Sequence, residues 1–443
     1  MNETAAAARP LTHRRVLAIA VPIVISNATV PILGIVDTAV VGQLGAAAPI
    51  GAVGIGAIIL TAIYWLFGFL RMGTVGLTSQ ALGAGRVAEA DAMLSRALLI
   101  GAVGGAVVIV LQVPLFWLAF MASPASNGVE SLAREYMTIR VWSAPAAIAI
   151  FGINGWLIAH ERTRSVLVIQ LWMNGLNIVL DLWFVLGLGW GVGGVAVATF
   201  WAEWSGLALA LWLCRGAFRR AGWRDAARVF DRLALGKMFR VNLDILIRSV
   251  MIESVFVSFL FFSARFGDVP LAANQILLQF LHITAYALDG FAFAAESLVG
   301  NAIGRQSVAR VRRSSVLTSV WGLGSGLVLA ALFALAGGLI IDIMTTAPDV
   351  RAEARSYLVW MVLAPLLGGP AWMLDGIFIG ATRTRDMRNM MVLSAAAYFA
   401  LVLPLMPVWG NHGLWFAVQI SFVARTILLG LRYRALEASA RAS

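Results

Sequence analysis

Oxygen-bearing side chains recur at helical spacing inside apolar stretches of the first half of the sequence. They are Asp37, Asn174, Asn177, Asp181, Thr199 and Glu203. Asn174, Asn177 and Asp181 follow the spacing i, i+3, i+7, so a helix presents all three on one face. Carboxylates, amides and a hydroxyl in an apolar surrounding could share a proton, because adjacent carboxylates resist ionising together, or could bind Na⁺ through oxygen. The alternative is a hydrogen-bond network that only ties helices together.

A second set of ionisable residues occupies apolar stretches of the second half. Its members are Arg248, Glu253, Asp289 and Asp375, with Asp244 close to the first of them. Asp244 and Arg248 are spaced i, i+4, which allows an ion pair along one helix. Asp289 and Asp375 could instead meet inside a cavity. If these stretches cross a membrane, each central ionisable group costs at least about 2.5–3.5 kcal/mol, so it indicates either a functional cavity or structural pairing.

Composition shows which elements must position these residues. Of the 443 residues, 60% are apolar and only 12% are charged, against roughly 25% charged in soluble domains. Apolar stretches of about 20 residues, enough to cross about 30 Å of hydrocarbon, recur along the whole chain. Only helices and closed barrels satisfy the backbone inside lipid, and these stretches lack the alternation of barrel strands. We therefore expect an all-α polytopic membrane protein.

Twelve such stretches predict twelve transmembrane helices. Their approximate limits are 15–38, 50–71, 92–119, 133–157, 165–187, 191–214, 239–263, 270–297, 313–336, 354–379, 387–408 and 412–432. Lys and Arg cluster in alternate loops, most densely in 215–240, whereas the loops near 42–50, 188–191 and 409–411 contain none. By the positive-inside rule, both termini and the central loop face the cytoplasm, which requires an even number of helices.

Charge placement and motif content exclude several classes of function. The net charge of +11 is an orientation signal rather than a nucleic-acid-binding patch, since it is spread over short loops. Cys214 is the single cysteine, which excludes a disulfide within the chain and a cysteine-based metal site. The sequence has no phosphate-binding loop, no HExxH motif and no plausible Ser/His/Asp arrangement. We expect no enzyme activity, no cofactor, and no metal beyond Na⁺ at the first-half set.

The two halves of the sequence are related by an internal repeat. Residues 155–164, GWLIAHERTR, align with 376–385, GIFIGATRTR, at an offset of 221, with five of ten positions identical. The same offset aligns 77–83, LTSQALG, with 298–304, LVGNAIG. Six helices in each half give two lobes in the same orientation, related by a pseudo-twofold axis along the membrane normal. The expected domains are an N-terminal six-helix lobe over 1–214, a basic cytoplasmic linker over 215–238 and a C-terminal six-helix lobe over 239–443.

Three segments resemble one family of membrane transporters. They are VDTAVVGQLG (36–45), ANQILLQFLHITAYALDGFAFAAESLVG (273–300) and LDGIFIGATRTRD (374–386). In this order they are similar to the multidrug and toxic compound extrusion (MATE) family, and within it to the DinF-like branch, over nearly the whole chain. The resemblance implies secondary active antiport, in which two six-helix lobes export amphiphilic or cationic compounds in exchange for H⁺ or Na⁺ by alternating access.

The resemblance also implies roles for individual residues. Similar proteins couple through an Asp on helix 1, an Asn and an Asp on helix 5, and a Thr on helix 6. The matching positions here are Asp37, Asn177, Asp181 and Thr199. The helix-1 proline that bends during the cycle matches Pro22. Glu253 matches a coupling acid on helix 7 of other branches, whereas Asp375 lies about a turn from their helix-10 acid. The implied setting is a monomer in the bacterial inner membrane, in contact with lipid.

Two other functions remain open at the level of sequence. A flippase for lipid-linked precursors resembles this architecture, but it often carries more helices and several basic residues in its cavity, where Arg248 is the main candidate here. A non-transporting receptor or scaffold would have no use for buried carboxylates. We therefore expect an ion-coupled exporter with its switch in the first-half set.

Overall fold

The architecture is all-α, as the composition predicts. The computed structural model describes residues 10–122 and 126–442 of the chain, and the regular secondary structure of these residues is entirely helical. Eleven continuous helices are long and apolar enough to cross a membrane. The last of them, over 384–442, is two helices joined at Gly410, whose backbone has φ 54° and ψ −134°. The described residues therefore contain the twelve membrane-crossing helices that were predicted.

Each predicted span overlaps one of the observed helices. The helices are α1 (His13–Gly42), α2 (Ala47–Gly83), α3 (Val87–Val110), α4 (Asn127–Ala159), α5 (Thr163–Gly187), α6 (Gly191–Leu213), α7 (Arg232–Phe266), α8 (Asp268–Gly304), α9 (Val308–Met344), α10 (Pro348–Gly380), α11 (384–409) and α12 (411–442). A short apolar helix, Gln112–Ala122, continues α3 after a break at Leu111. Most helices extend beyond the apolar spans, because their polar ends continue the same backbone hydrogen bonding.

Local irregularities interrupt several of these helices. α2 contains a 3₁₀ turn at Leu66–Gly68, and the last residues of α5, Leu182–Gly187, form a π-helical turn directly after Asp181. Single π turns inside α-helices occur frequently at functional sites. α1 passes through Pro22 and Pro31 without a break in helical assignment, although each proline removes one backbone hydrogen bond.

The chain packs as two compact units. The N-unit comprises Ile25–Thr78 and Arg86–Leu235, and the C-unit comprises the described residues up to Val24, Ser79–Gly85 and the described chain from Gly236 onward. The predicted domain limits at 214 and 239 stay predictions.

Residues 215–235, inside the predicted linker, fold against α3 as part of the N-unit. Arg220 forms a bidentate ion pair with Asp91, at 2.7 Å from Nε to Oδ2 and 2.5 Å from Nη2 to Oδ1. The Asp91 side chain is only 1% exposed, so the pair is fixed on one side by a buried carboxylate. Arg96 donates from Nε to the carbonyl oxygen of Val229 at 2.9 Å. Polar residues at the start of α3 thus hold the basic segment in place.

Glycines of the repeated motifs allow close helix packing in each unit. In the N-unit a β-carbon at Gly155 would collide with the carbonyl oxygen of Arg71, so α4 approaches α2 closely there. In the C-unit a β-carbon at Gly376 would collide with the carbonyl oxygen of Ala292, where α10 meets α8. Gly376 is equivalent to Gly155, and Ala292 is equivalent to Arg71, at the offset of 221 that relates the motifs. The sequence repeat therefore corresponds to a repeated packing contact.

Candidate functional site

α5 presents its three polar residues on a buried face of the N-unit. Asn174, Asn177 and Asp181 are 7%, 1% and 0% exposed. Residues on the opposite face of the helix, such as Trp172 and Val179, are about half exposed or more. The spacing i, i+3, i+7 therefore places the amides and the carboxyl group inside the unit and the apolar side chains outside it.

Four of the predicted coupling residues meet in one cluster. The side chains of Asp37 on α1 and Asp181 on α5 are in hydrogen-bonding contact. The neighbours of Asn177 orient its amide, so that Nδ2 donates to Asp181 Oδ2 and to Asp37 Oδ1, both at 3.1 Å. Its Oδ1 faces the hydroxyl of Thr199 on α6 at 3.0 Å. One amide thus connects three helices around a pair of carboxyl groups.

The two carboxyl groups need a proton or a cation between them. Oδ1 of Asp181 is buried and has no hydrogen-bond donor among the described residues. Two ionised carboxylates in contact repel each other strongly in an apolar surrounding, so one of them must be protonated or a cation must bind there. Carboxylate, amide and hydroxyl oxygens are also the ligands that hard cations prefer. The cluster can therefore carry H⁺ or Na⁺.

Asn174 lies outside this cluster. Its Nδ2 donates to the carbonyl oxygen and the hydroxyl of Thr29, at 3.2 and 3.0 Å, and its Oδ1 accepts from Gln170 at 2.9 Å. It ties α5 to α1 two residues before Pro31. Pro22 is buried in the same helix, nine residues before Pro31. Sequence reasoning named Pro22 alone and missed Pro31, although a second proline in an apolar helix was visible.

A buried ion-pair network beside the cluster was also missed. Arg140 of α4 donates from Nη2 to Glu203 Oε1 and from Nη1 to the hydroxyl of Tyr136, both at 2.9 Å. Ser143 donates to the other oxygen of Glu203, and the hydroxyl of Tyr64 donates to the backbone carbonyl of Arg140 at 3.2 Å. Glu203 is 7% exposed, so it is a buried partner of Arg140 rather than an interfacial residue.

Arg140 also acts on the carboxyl pair. Its positive charge is one of the electrostatic influences on both Asp37 and Asp181. The arginine lies inside the apolar span predicted over 133–157, where an ionisable residue is costly and marks a functional region. The cost of an ionisable residue in an apolar span would therefore have identified Arg140 from the sequence.

The candidates in the C-unit pair differently from the sequence expectation. Arg248 donates to Asp375 Oδ2, whereas the pairing of Asp375 with Asp289 stays a prediction. The predicted intrahelical pair of Asp244 with Arg248 is wrong, because Arg388 binds Asp244 at 2.6 Å. Helical spacing made the local pair possible, but tertiary contacts brought a different arginine closer.

The other two C-unit candidates are less buried. Glu253 is exposed on α7, and Asp289 is half-buried on α8. The structure therefore brings Arg248 and Asp375 together within the C-unit.

Comparison with known proteins identifies the family. The MatE family model matches two stretches, residues 22–183 and 245–408, which together cover well over half of the chain. The chain is a member of the MATE family. Because this is a family of multidrug and toxic compound extrusion transporters, the protein is a transporter and not an enzyme. The model matches once in each half, in keeping with the internal repeat of this MATE protein.

Individual relatives span nearly the whole chain. DNA damage-inducible protein F of Escherichia coli K12 is 37% identical over 431 residues, covering 94% of this chain and 91% of the relative. A probable multidrug resistance protein NorM of Xanthomonas campestris is 26% identical, covering 94% and 92%. The crystal structure of a mutant of the Vibrio cholerae MATE transporter VcmN superposes with a TM-score of 0.85, at 18% identity and coverage of 100% and 99%. The structural likeness establishes the fold.

Proposed function

We propose that this MATE protein exports amphiphilic and cationic compounds in exchange for H⁺ or Na⁺, with its ion switch at Asp37 and Asp181. The observation that carries the proposal is the contact of two carboxyl side chains, bridged by Asn177 and left without a donor at Asp181 Oδ1. Such a pair is stable only with a proton or a cation, so its occupancy changes the local charge by one unit. The hydroxyl of Thr199 adds a further oxygen beside the two carboxyl groups and the amide of Asn177.

Occupancy of the pair acts on α1. Asp37 is five residues from the end of this helix, and Pro31 lies six residues before it. A proline removes a backbone hydrogen bond and lets a membrane helix bend. Binding of H⁺ or Na⁺ at Asp37 and Asp181 rearranges α1, which bends at its prolines. This rearrangement collapses the cavity of the N-terminal half and ejects the cargo outward.

The setting follows from charge and family. A bacterial inner membrane with both termini in the cytoplasm fits the loops rich in Lys and Arg. Relatives that are named multidrug resistance proteins support small amphiphilic cargoes.

Replacing Asp37 tests the switch. Asp37→Asn keeps the side-chain size but removes the charge, so we expect it to abolish ethidium efflux from cells while the protein remains in the membrane. The matched control is Asp349→Asn, which neutralises an exposed carboxylate in the first turn of α10. We expect the control to export at the wild-type rate. Undiminished export by Asp37→Asn would rule out this switch.

Imposed gradients identify the coupling ion. Purified protein is reconstituted in proteoliposomes, and dye efflux is measured under a proton gradient alone and under a sodium gradient alone. Efflux driven by only one gradient assigns that ion to the cluster. Absence of efflux under both gradients would contradict coupled antiport.

A further inference from the structure

Three charged side chains meet in the interior of the C-unit. Arg248 on α7 donates from Nη2 to Oδ2 of Asp375 on α10, and Nη1 of Arg425 on α12 lies 3.7 Å from the same oxygen. The side chains are 11%, 6% and 6% exposed. Sequence reasoning named the first two and missed Arg425. All three belong to helices long enough to cross the membrane.

The charges of these three residues do not balance. A guanidinium stays protonated in proteins, so two positive charges face one carboxylate. A purely structural pair would need one arginine, which can engage both carboxylate oxygens of its partner. Here both arginines crowd Oδ2 of Asp375. Excess positive charge in the membrane interior is costly, so it points to an additional anionic group.

Several polar atoms of the cluster lack partners among the described residues. Nε of Arg248, Nε of Arg425 and Oδ1 of Asp375 are buried and form no hydrogen bond within this part of the chain. Nη1 of Arg425 reaches the sulfur of Met391 at 3.7 Å, which is a weak acceptor. Arg425 thus carries unused donors although its side chain is more than nine-tenths buried.

An aromatic wall adjoins Arg425. Its guanidinium lies 5.6 Å from the ring centre of Trp372 and 5.8 Å from that of Phe422. The two rings are 5.2 Å apart and tilted by 57°. Gly368 makes room for them, because a β-carbon there would collide with Trp372 and lie 3.2 Å from Phe422. A planar apolar group can pack on this wall beside the positive charge.

We propose that Arg425 and Arg248 bind the carboxylate or sulfonate of an amphiphilic compound whose aromatic body packs on Trp372 and Phe422. Until the anion binds, the carboxylate of Asp375 is the partner of both guanidiniums, and the anion then takes its place. The site extends the range of cargo from cations to acidic amphiphiles. As a route of export it rests on the proposed function, but binding itself requires no ion gradient.

α10 can open the enclosed site. Pro365 and Pro370 lie inside this helix and flank Gly368. Since proline has no N–H, the carbonyl groups of Met361 and Leu366 lose their partners four residues on. The segment between the prolines is therefore the place where α10 bends most readily, and it carries the glycine under the aromatic wall.

Paired probes separate charge recognition from apolar binding. Dansyl-phenylalanine and dansyl-phenylalaninamide share one aromatic body, and only the first carries a carboxylate. Their binding to purified protein in nanodiscs is measured by fluorescence titration. We expect Arg425→Gln to weaken acid binding about tenfold or more and to leave amide binding within about twofold. Arg265→Gln is the matched control, since Arg265 also lies over a ring, Phe262 at 5.5 Å, but is exposed.

The opposite change provides a second, independent test. Asp375→Asn removes the internal competitor and leaves both guanidiniums free, so we expect tighter binding of the acid and unchanged binding of the amide. A structural ion pair would give no gain. The proposal is overturned if Asp375→Asn fails to tighten acid binding, or if Arg425→Gln weakens acid and amide equally. Should Arg425→Gln not fold, as judged by gel filtration, Asp375→Asn decides alone. Failure of ion-coupled efflux would leave these gradient-free results interpretable.

Discussion

At the scale of single residues, the N-unit places a pair of carboxyl groups beside a permanent ion pair. The Asp37–Asp181 pair requires a proton or a cation, whereas Arg140 and Glu203 neutralise each other at 2.9 Å. Arg140 thus brings a positive charge close to both carboxyl groups while its own charge is balanced by Glu203.

Breaking the permanent pair should destabilise the protein strongly. Glu203→Gln leaves the charge of Arg140 buried without its carboxylate, and the expected loss is about 3–5 kcal/mol. The double replacement Arg140→Gln with Glu203→Gln removes both charges, so it should recover part of that loss. Melting temperatures from intrinsic tryptophan fluorescence in detergent rank the stability of the wild type, the single variant and the double variant.

The control for this measurement is a partly exposed ion pair on α4, the helix that carries Arg140. Arg134 and Glu130 are spaced i, i+4, with side chains 41% and 31% exposed. Glu130→Gln should therefore cost only about 0.3–0.5 kcal/mol. Equal shifts in melting temperature for Glu130→Gln and Glu203→Gln would contradict a buried, structurally essential pair.

At the scale of elements, glycines at repeated positions decide how closely helices pack. Gly155 and Gly376 occupy equivalent places in the two motifs, and each faces a backbone carbonyl oxygen of a neighbouring helix. Within the C-unit, Gly83 faces the carbonyl of Asn301, and Gly304 faces the carbonyl of Gln80. At the offset of 221, Gly83 is equivalent to Gly304 and Gln80 is equivalent to Asn301, so the two contacts are counterparts of each other. The motif glycines are thus required by packing.

Adding one methyl group at these glycines should separate the effects of packing and helix propensity. Gly155→Ala and Gly376→Ala place a β-carbon against backbone oxygen, so each should cost about 1–3 kcal/mol. Gly175→Ala is the control, because nothing lies within 4 Å of its β-carbon, and alanine in a helix gains roughly 0.5–1 kcal/mol over glycine. Melting temperatures should fall for the first two variants only. A rise in all three would contradict close packing at the motifs.

The helices were predictable from the sequence, but the partners of their charged side chains were only partly predictable. Apolar runs of about 20 residues define membrane helices by length alone. Side-chain pairing depends on contacts far apart in sequence, as Arg248 shows by binding Asp375 and not Asp244, four residues away. For the same reason, the partners of Arg140 and Arg425, which lie on other helices, could not be read from the sequence. Asp37 and Asp181 were found because ionisable residues inside apolar stretches are costly and therefore conspicuous in the sequence.

At the scale of the whole molecule, the two halves share a frame and differ in chemistry. The N-unit holds a carboxyl pair that suits a cation, and the C-unit holds two arginines around one carboxylate, which suits an anion. At the offset of 221, Asp37 corresponds to Ser258. The repeat therefore preserves glycine packing while the buried charges have diverged in sign. The two proposals together place the coupling ion and part of the cargo at separate sites of one scaffold.

Membrane orientation gives the last prediction. Cys214 is the single cysteine and is fully buried, so the wild-type protein should not react with a maleimide. Ala46→Cys and Ala221→Cys each place one exposed thiol in the N-unit, between α1 and α2 and in the basic segment after α6. Because Lys and Arg are retained on the cytoplasmic side, a membrane-impermeant maleimide should label Ala46→Cys in intact spheroplasts and Ala221→Cys only after permeabilisation. The reverse pattern would invert the orientation, and labelling of both before permeabilisation would contradict opposite sides for the two segments.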